Sequence, residues 1–482
     1  MKKLYFIGIG GTAMAGVAAA LRHEGHQVTG SDNGVYPPMS DFLAARDISY
    51  HEEFNTAHVD ALPPDTTVVI GNAMSRGNPE VEAVLNRRLS YTSLAALVGG
   101  QLIAGHSSMV IAGTHGKSTT ASLAAWVLEA AGRRPGFLIG GIPENFGEGC
   151  RAAAPDGVFV TEGDEYDTAF FDKRSKFVHY RPDIAVINNV EFDHADIFDS
   201  LEHVKRSFRQ FVNLIPGNGV LLVNGDDSHA MDVAADAHCE VLRFGCGDSC
   251  ELWGRDIRYA DGRTGFTIID QRNSHEHRFS IPLAGDFNVR NAIAVVAAAR
   301  RVGLSDAEIQ KGFSTFLGIR RRMEVIAEGK GITLIDDFAH HPTALRLTLQ
   351  ALREKYRGRR IVACFEPRSN TTTRNIYQKE ITEALALADV AVIGSIDRPQ
   401  RYAENERLSP ERVAAELTRQ GIIARAIPDP TEMVLWVTSV MRPGDVIALC
   451  SNGKFGGAHG MLQQALTEQD ASTTRDAEDP LH

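Results

Sequence analysis

Seven consecutive residues, Gly113-Thr114-His115-Gly116-Lys117-Ser118-Thr119, carry the parts needed to hold a nucleoside triphosphate. Glycines let backbone N–H groups turn toward phosphate oxygens, a lysine meets the β- and γ-phosphates, and a serine or threonine hydroxyl meets Mg2+. The apolar run SMVIAG precedes the loop and the helical pattern STTASLAAWVLEAAG follows it, so the loop sits where a helix dipole favours an anion. The spacing is shorter than G-x-x-x-x-G-K-[ST] unless Ala112 stands in for the first glycine. A plain glycine turn with an exposed lysine is the alternative; the strand and helix on either side favour the phosphate loop.

Phosphoryl transfer needs a cation, and Mg2+ needs oxygen ligands near that loop. In an open parallel sheet, ligands lie beyond the carboxyl ends of the strands. Glu162 stands at such an end inside TEGDEYD, and Asp193-His194 follow the next strand inside EFDH. One acid after a strand is usually a helix cap or a solvated loop residue. Two such positions on strands expected to flank the loop point instead to Mg2+ ligation by Glu162 and His194, with Ser118.

Two other segments invite chemistry. The turn Gly8-Ile9-Gly10-Gly11-Thr12 follows an apolar run, with Asp32 at about the distance a ribose-binding acid takes in a dinucleotide fold. An NAD(P)-dependent oxidoreductase would fit this turn but leave the loop at Lys117 without a purpose. Two anion loops suggest two phosphate-bearing ligands. Farther on, Asp336-Asp337-Phe338-Ala339-His340-His341-Pro342 and Glu366-Pro367-Arg368-Ser369-Asn370 also end strand-like runs. The paired histidines could be metal ligands, a base or helix caps. Arg320-Arg321-Arg322 lies at a junction, either as a solvated turn or as a clamp on phosphates.

These residues must be positioned by α/β units. Strand-like runs alternate with helical patterns over most of the 482 residues, which is parallel α/β construction, and the length calls for several cores. The rhythm divides into residues 1–106, 107–322 and 323–469, with the stretch from Cys239 to Pro282 reading as antiparallel sheet. A polar tail over 470–482 reads as disordered. Hydrophobic residues at 43% and charged residues at 23% are those of a soluble protein, without a run long enough for a membrane span. The net charge of −11 argues against nucleic-acid binding. Six irregularly spaced cysteines read as ordinary thiols, and MKKLYFIGIGG, whose apolar run breaks into glycines, reads as a buried first strand and not a signal peptide, so a cytoplasmic location is expected. Nothing in the composition sets an oligomeric state.

Taken together, GTHGKST, EGDE, NNVEFDH, FNVRNAIA, RRRME and DDFAHHPTA resemble the Mur ligase family in order and spacing, from about Lys3 to Leu466. The resemblance implies three domains: a Rossmann-like UDP-sugar domain, a P-loop-type ATPase domain with a mixed sheet, and a Rossmann-like C-terminal domain for the incoming amine. It implies ATP and Mg2+ as cofactors, small-molecule substrates, and an amide ligase working through an acyl phosphate. Within the family, SDNGVYPPMS, GNAMSRGNPEVEAVL, EYDTAFFDKRSKFVHYRP and EPRSNT resemble the branch that attaches the tripeptide L-Ala-γ-D-Glu-meso-diaminopimelate to UDP-N-acetylmuramate. The branch that attaches free L-alanine would carry a serine-containing segment after EGDE and a different arginine motif in place of PRSN.

Residue by residue, the resemblance gives ATP to Gly113–Thr119, Asn291 and Arg321, with Asn291 on the adenine side. Catalysis falls to Lys117, Glu162, His194, Arg321 and His340. The sugar nucleotide and peptide fall to Gly10, Gly11, Thr12, Asp32, Asn72, Asn78, Arg368, Ser369 and Asn370. Several family members carry a carbamylated lysine after the DH motif. Here Arg209 takes that position and Lys205 lies four residues earlier.

Overall fold

The structure, a computed structural model, describes residues 1–473, with side chains as far as Thr467. Three large sheets follow one another along the chain, and Asp167–Ala169 with Asp172–Ser175 adds a small antiparallel pair. The first has five parallel strands, in the spatial order Tyr50–His51, Gln27–Ser31, Lys3–Ile7, Thr66–Ile70 and Tyr91–Ser93. The two-residue strand Tyr50–His51 is too short to leave a periodic signal in the sequence. The strand order reverses beside Lys3–Ile7, so the turn Gly8–Gly11 opens at the carboxyl end of the switch point, where ligands enter such sheets.

The second sheet has ten strands and is mixed. At its centre Ser107–Ala112 lies between Val158–Gly163 and Ile184–Ile187, all parallel. The expected antiparallel stretch begins later than its sequence suggests. Glu240–Gly245 pairs in parallel with Val220–Asn224, and antiparallel pairing starts with Leu252–Ala260 against Arg263–Asp270 and continues to His275–Ile281. The third sheet has six strands, five of them parallel, with Glu324–Gly329 antiparallel at one edge.

Parallel strands buried on both faces read as near-continuous apolar runs. Ile361–Phe365 and Val446–Cys450 are buried throughout. The cores are distributed unequally. One apolar cluster runs from the helix Thr12–His23 through Leu138, Cys150 and Phe159 to Phe208 and Phe211, so the first and second sheets share a core. Helix–sheet contact is close: a Cβ on Gly16 would lie 3.2 Å from Cys150 Cβ. The third sheet has two cores of its own, one on each face.

The helix that begins at Ala458 runs to Thr473, four residues into the tail expected to be disordered; the rest of that tail lies outside the described residues. Among the described residues no helix is long and apolar enough to cross a membrane. All six cysteines are free.

Candidate active site

The phosphate loop is built by backbone geometry that only glycine tolerates well. Gly113 has φ +140° and lies so close to Asn188 and Asn189 that a Cβ would meet them at 3.1–3.2 Å. Gly116, at φ +81°, starts the helix Lys117–Ala130, whose first turn no side chain caps. Asn189 clamps the loop from the neighbouring strand end: its Oδ1 accepts from His115 N at 2.8 Å and its Nδ2 donates to His115 O at 3.2 Å. The uncapped N–H groups of that helix are the donors an anion would take.

Strand register brings the acids to the loop. Glu162 pairs with Ile111 and Gly163 with Ala112, so the Glu162 carboxylate stands beside the helix start. Its Oε2 accepts from Ser118 Oγ at 2.9 Å and its Oε1 from Gly140 N at 2.6 Å. Burial and the neighbouring Asp164 charge raise its pKa above the ordinary carboxylate value. Two acids quoted in the motif but not singled out from sequence complete the group. Glu165 takes a hydrogen bond from Lys117 Nζ at 2.9 Å, and Asp164 pairs with Lys176 at 3.1 Å. Burial alone would lower the Lys117 and Lys176 ammonium groups, but the carboxylates around them hold both above their usual range. Lys176 is hard to single out from sequence because it lies thirteen residues past the strand end at Gly163, among the charges of DKRSK.

A divalent cation fits here by donor chemistry. Ser118 and Glu162 present oxygen ligands in contact with each other, and a carboxylate whose charged form is penalised by burial gains from a nearby cation. His194, in a left-handed loop conformation, lies 3.6 Å from Glu165 Oε1, the acid whose Oε2 accepts from Lys117 Nζ. Asn291 lies with Asn188 behind Gly116, where a Cβ would meet their amide groups at 2.9 and 3.1 Å.

A cleft of about 260 Å³ joins this centre to the first sheet. Gly11, Thr12 and Asn72 line one wall; Glu162, Asp164 and Lys176 line the other. The remaining first-sheet candidates hold the protein together. Asp32 Oδ2 accepts from Gly10 N at 2.8 Å, so it braces the glycine turn and engages an amide expected to face a phosphate. Asn78 Oδ1 caps the helix Pro79–Arg87 by accepting from Glu80 N and Val81 N.

The third sheet closes over the EFDH segment. Thr343 Oγ1 donates to Glu191 Oε2 at 2.7 Å, Thr371 Oγ1 to Asp193 Oδ1 at 2.7 Å, and Tyr377 OH to Phe192 O at 2.8 Å. The DDFAHHP and EPRSN loops thus meet the central sheet at one place, which spacing along the chain cannot reveal. His340 is half-buried with Nδ1 against Phe338 O at 2.9 Å, and desolvation holds its pKa below the usual imidazole value. Arg368 lies against Gly453 and 3.7 Å from Glu366. Ser369 Oγ accepts from Thr372 N, and Asn370 Oδ1 from Arg401 Nη1 at 3.2 Å. Arg321 is tied to the third sheet. Its guanidinium donates to Asp336 Oδ2 at 3.1 Å and to the carbonyls of Ser451 and Gly453 at 2.7 Å each. Three acceptors of the third sheet thus hold this side chain. Lys205, which is buried, and Arg209 pair with Glu202 of their own helix and with Asp232.

Comparison with known proteins agrees with this layout. The Mur ligase family catalytic domain matches residues 3–106, the Mur ligase middle domain 111–299, and the Mur ligase glutamate ligase domain 321–453. The UDP-N-acetylmuramate--L-alanyl-gamma-D-glutamyl-meso-2,6-diaminoheptandioate ligase of Escherichia coli K12 is 39% identical over 475 residues, covering 97% of this chain and 99% of that protein. The UDP-N-acetylmuramate--L-alanine ligase of Variovorax paradoxus is 31% identical, covering 99% of each. The crystal structure of a murein peptide ligase from Psychrobacter arcticus is similar with a TM-score of 0.72 at 33% identity, over 97% of this chain and 99% of that one. The chain belongs to the Mur ligase family of ATP-dependent amide ligases.

Proposed function

We propose that this chain joins L-Ala-γ-D-Glu-meso-diaminopimelate to the lactoyl carboxylate of UDP-N-acetylmuramate in cytoplasmic peptidoglycan recycling, with release of ADP and phosphate. The observation that carries the reading is the cleft with Thr12 and Asn72 on one wall and Glu162 and Lys176 on the other, next to the phosphate loop. A sugar nucleotide held by the first sheet would bring its carboxylate to the γ-phosphate of ATP there.

The carboxylate oxygen attacks that phosphorus and ADP leaves, which forms an acyl phosphate. The peptide amine then attacks the acyl carbon, loses a proton, and phosphate departs. Two anions meet in the first step, so positive charge must offset their repulsion. Lys117 holds the phosphates and Lys176 faces the incoming carboxylate. Mg2+ would be held by Ser118 and Glu162, with His194 and Glu165 beside them; when bound it supplies the remaining charge neutralisation. His340 and Arg368 lie on the side of the third sheet, from which the amine would enter.

The tripeptide is favoured over free alanine by the higher identity to the relative named for it, and by the EYDTAFF and EPRSN stretches. Phosphate release with ATP, Mg2+ and UDP-N-acetylmuramate tests this, with the tripeptide and L-alanine as rival acceptors. Turnover with the tripeptide alone is expected; preference for alanine would assign the chain to the other branch, and no release with either would overturn the substrate assignment.

A further inference from the structure

We propose that His115, Glu191 and His341 form a binding site for a divalent transition-metal ion of the zinc or cobalt class, between the phosphate loop and the third sheet. His115 Nε2 lies 3.4 Å from Glu191 Oε2, and His341 Nδ1 lies 3.6 Å from the same oxygen. The three ligand atoms are all within 4.8 Å of one another. Two imidazoles and one carboxylate are the donor set of open zinc sites, and imidazole nitrogen suits such ions better than Mg2+.

The surroundings are those of a metal site. His115 Nε2 is buried without a hydrogen-bond partner, although it points at a carboxylate. The far nitrogen of His341, Nε2, lies 3.3 Å from Phe192 O, and a proton donated there leaves the Nδ1 lone pair turned toward Glu191. Thr343 Oγ1 orients the carboxylate through its 2.7 Å hydrogen bond. Such outer contacts fix ligand direction in known metal sites. One contact competes: Thr343 N donates to His341 Nδ1 at 3.3 Å, a long bond that an ion must displace. Burial lowers His341 to about 4, so its ring is neutral near pH 7. Burial would raise Glu191, but His115, Thr343 and His341 bring it down to about 2, so it is ionised.

The three ligands come from the phosphate loop, the EFDH segment and the N-cap of the helix Pro342–Lys355. They share no residue with the oxygen set of Ser118 and Glu162. An ion held by them fastens the phosphate loop to the third sheet.

The test is a Co2+ titration of the full chain in excess Mg2+, read by visible absorption. Stoichiometric Co2+ should give the intense band of low-coordinate cobalt with nitrogen ligands, and Zn2+ should erase it. Glu191→Gln and His115→Asn should each weaken Co2+ binding by more than about 10-fold, with far-ultraviolet circular dichroism unchanged. Glu162→Gln should keep the band. Absence of a band in the unaltered chain, its survival in Glu191→Gln, or its loss in Glu162→Gln would overturn the proposal. Should His115→Asn fail to fold, the near-isosteric Glu191→Gln decides alone.

Discussion

Lys117 stands between Gly113 O at 2.7 Å and Glu165 Oε2 at 2.9 Å, inside the turn that a triphosphate would occupy. Removing a positioned charge from a phosphoryl site costs on the order of 100- to 1,000-fold in turnover. Lys117→Ala should therefore lose at least about 100-fold in phosphate release, and near-normal release would remove Lys117 from the mechanism. Lys176→Met separates the two ammonium groups. If Lys176 faces the carboxylate, the KM for the sugar nucleotide should rise well above any change in the KM for ATP. The pH response turns on another residue. His341 is held neutral when folded, at about 4 against 6.5 for a free imidazole. Between those values the unfolded chain binds the extra proton, so stability falls as pH drops from about 6.5 to about 4 and is level above. The loss from this group is about 3 kcal/mol when complete. Denaturant midpoints of chelator-treated protein at pH 7 and pH 5 check the direction, and His341→Gln should flatten it.

At the scale of elements, the strand–loop–helix units were legible because each announces itself three times. A buried strand gives an apolar run, glycine breaks it, and a helical pattern follows, as in SMVIAG-THGK-STTASL. The same logic placed Ser118, Glu162 and the EFDH strand end correctly around one loop, since parallel register aligns neighbouring strand ends. What one segment does to another was not legible. Asn78 and Asn72 have the same chemistry in one motif, yet Asn78 precedes Pro79 at a helix start and caps it, while Asn72 faces the cleft. Asn78→Ala should lower stability by about 1 kcal/mol without altering the KM for the sugar nucleotide. Asn72→Ala should do the reverse. The contacts of Arg321 with Ser451 and Gly453 and of Glu191 with Thr343 are not legible for a related reason: hydrophobic periodicity reports burial, whereas these partners lie 130 to 152 residues away in sequence.

For the whole molecule, the decisive contrast is between contacts made of apolar atoms and contacts made of hydrogen bonds. The first two sheets share an apolar core through Met14, Leu138 and Cys150. The third sheet meets the central one at the EFDH segment through Thr343, Thr371 and Tyr377, with Arg321 binding the connecting segment to the third sheet itself. Polar junctions of this kind exchange with water at little cost, while opening an apolar core costs roughly 25 cal/mol per Å² exposed. Relative motion should therefore lie between the third sheet and the other two. Calorimetry should resolve two transitions, with residues 1–320 melting as one unit, and Gly16→Leu should lower that transition alone because its side chain would strike Cys150.

The shared core also decides how the chain can be divided. A fragment beginning at Met323 keeps both apolar faces of its sheet covered by its own helices, and should be expressible and monodisperse. A fragment beginning at His106 would leave Leu138, Cys150 and Phe159 without the helix that covers them, and should aggregate. The gene is therefore modular at one of its two boundaries only, and any exchange of parts between relatives has to carry the first 320 residues as a single cassette.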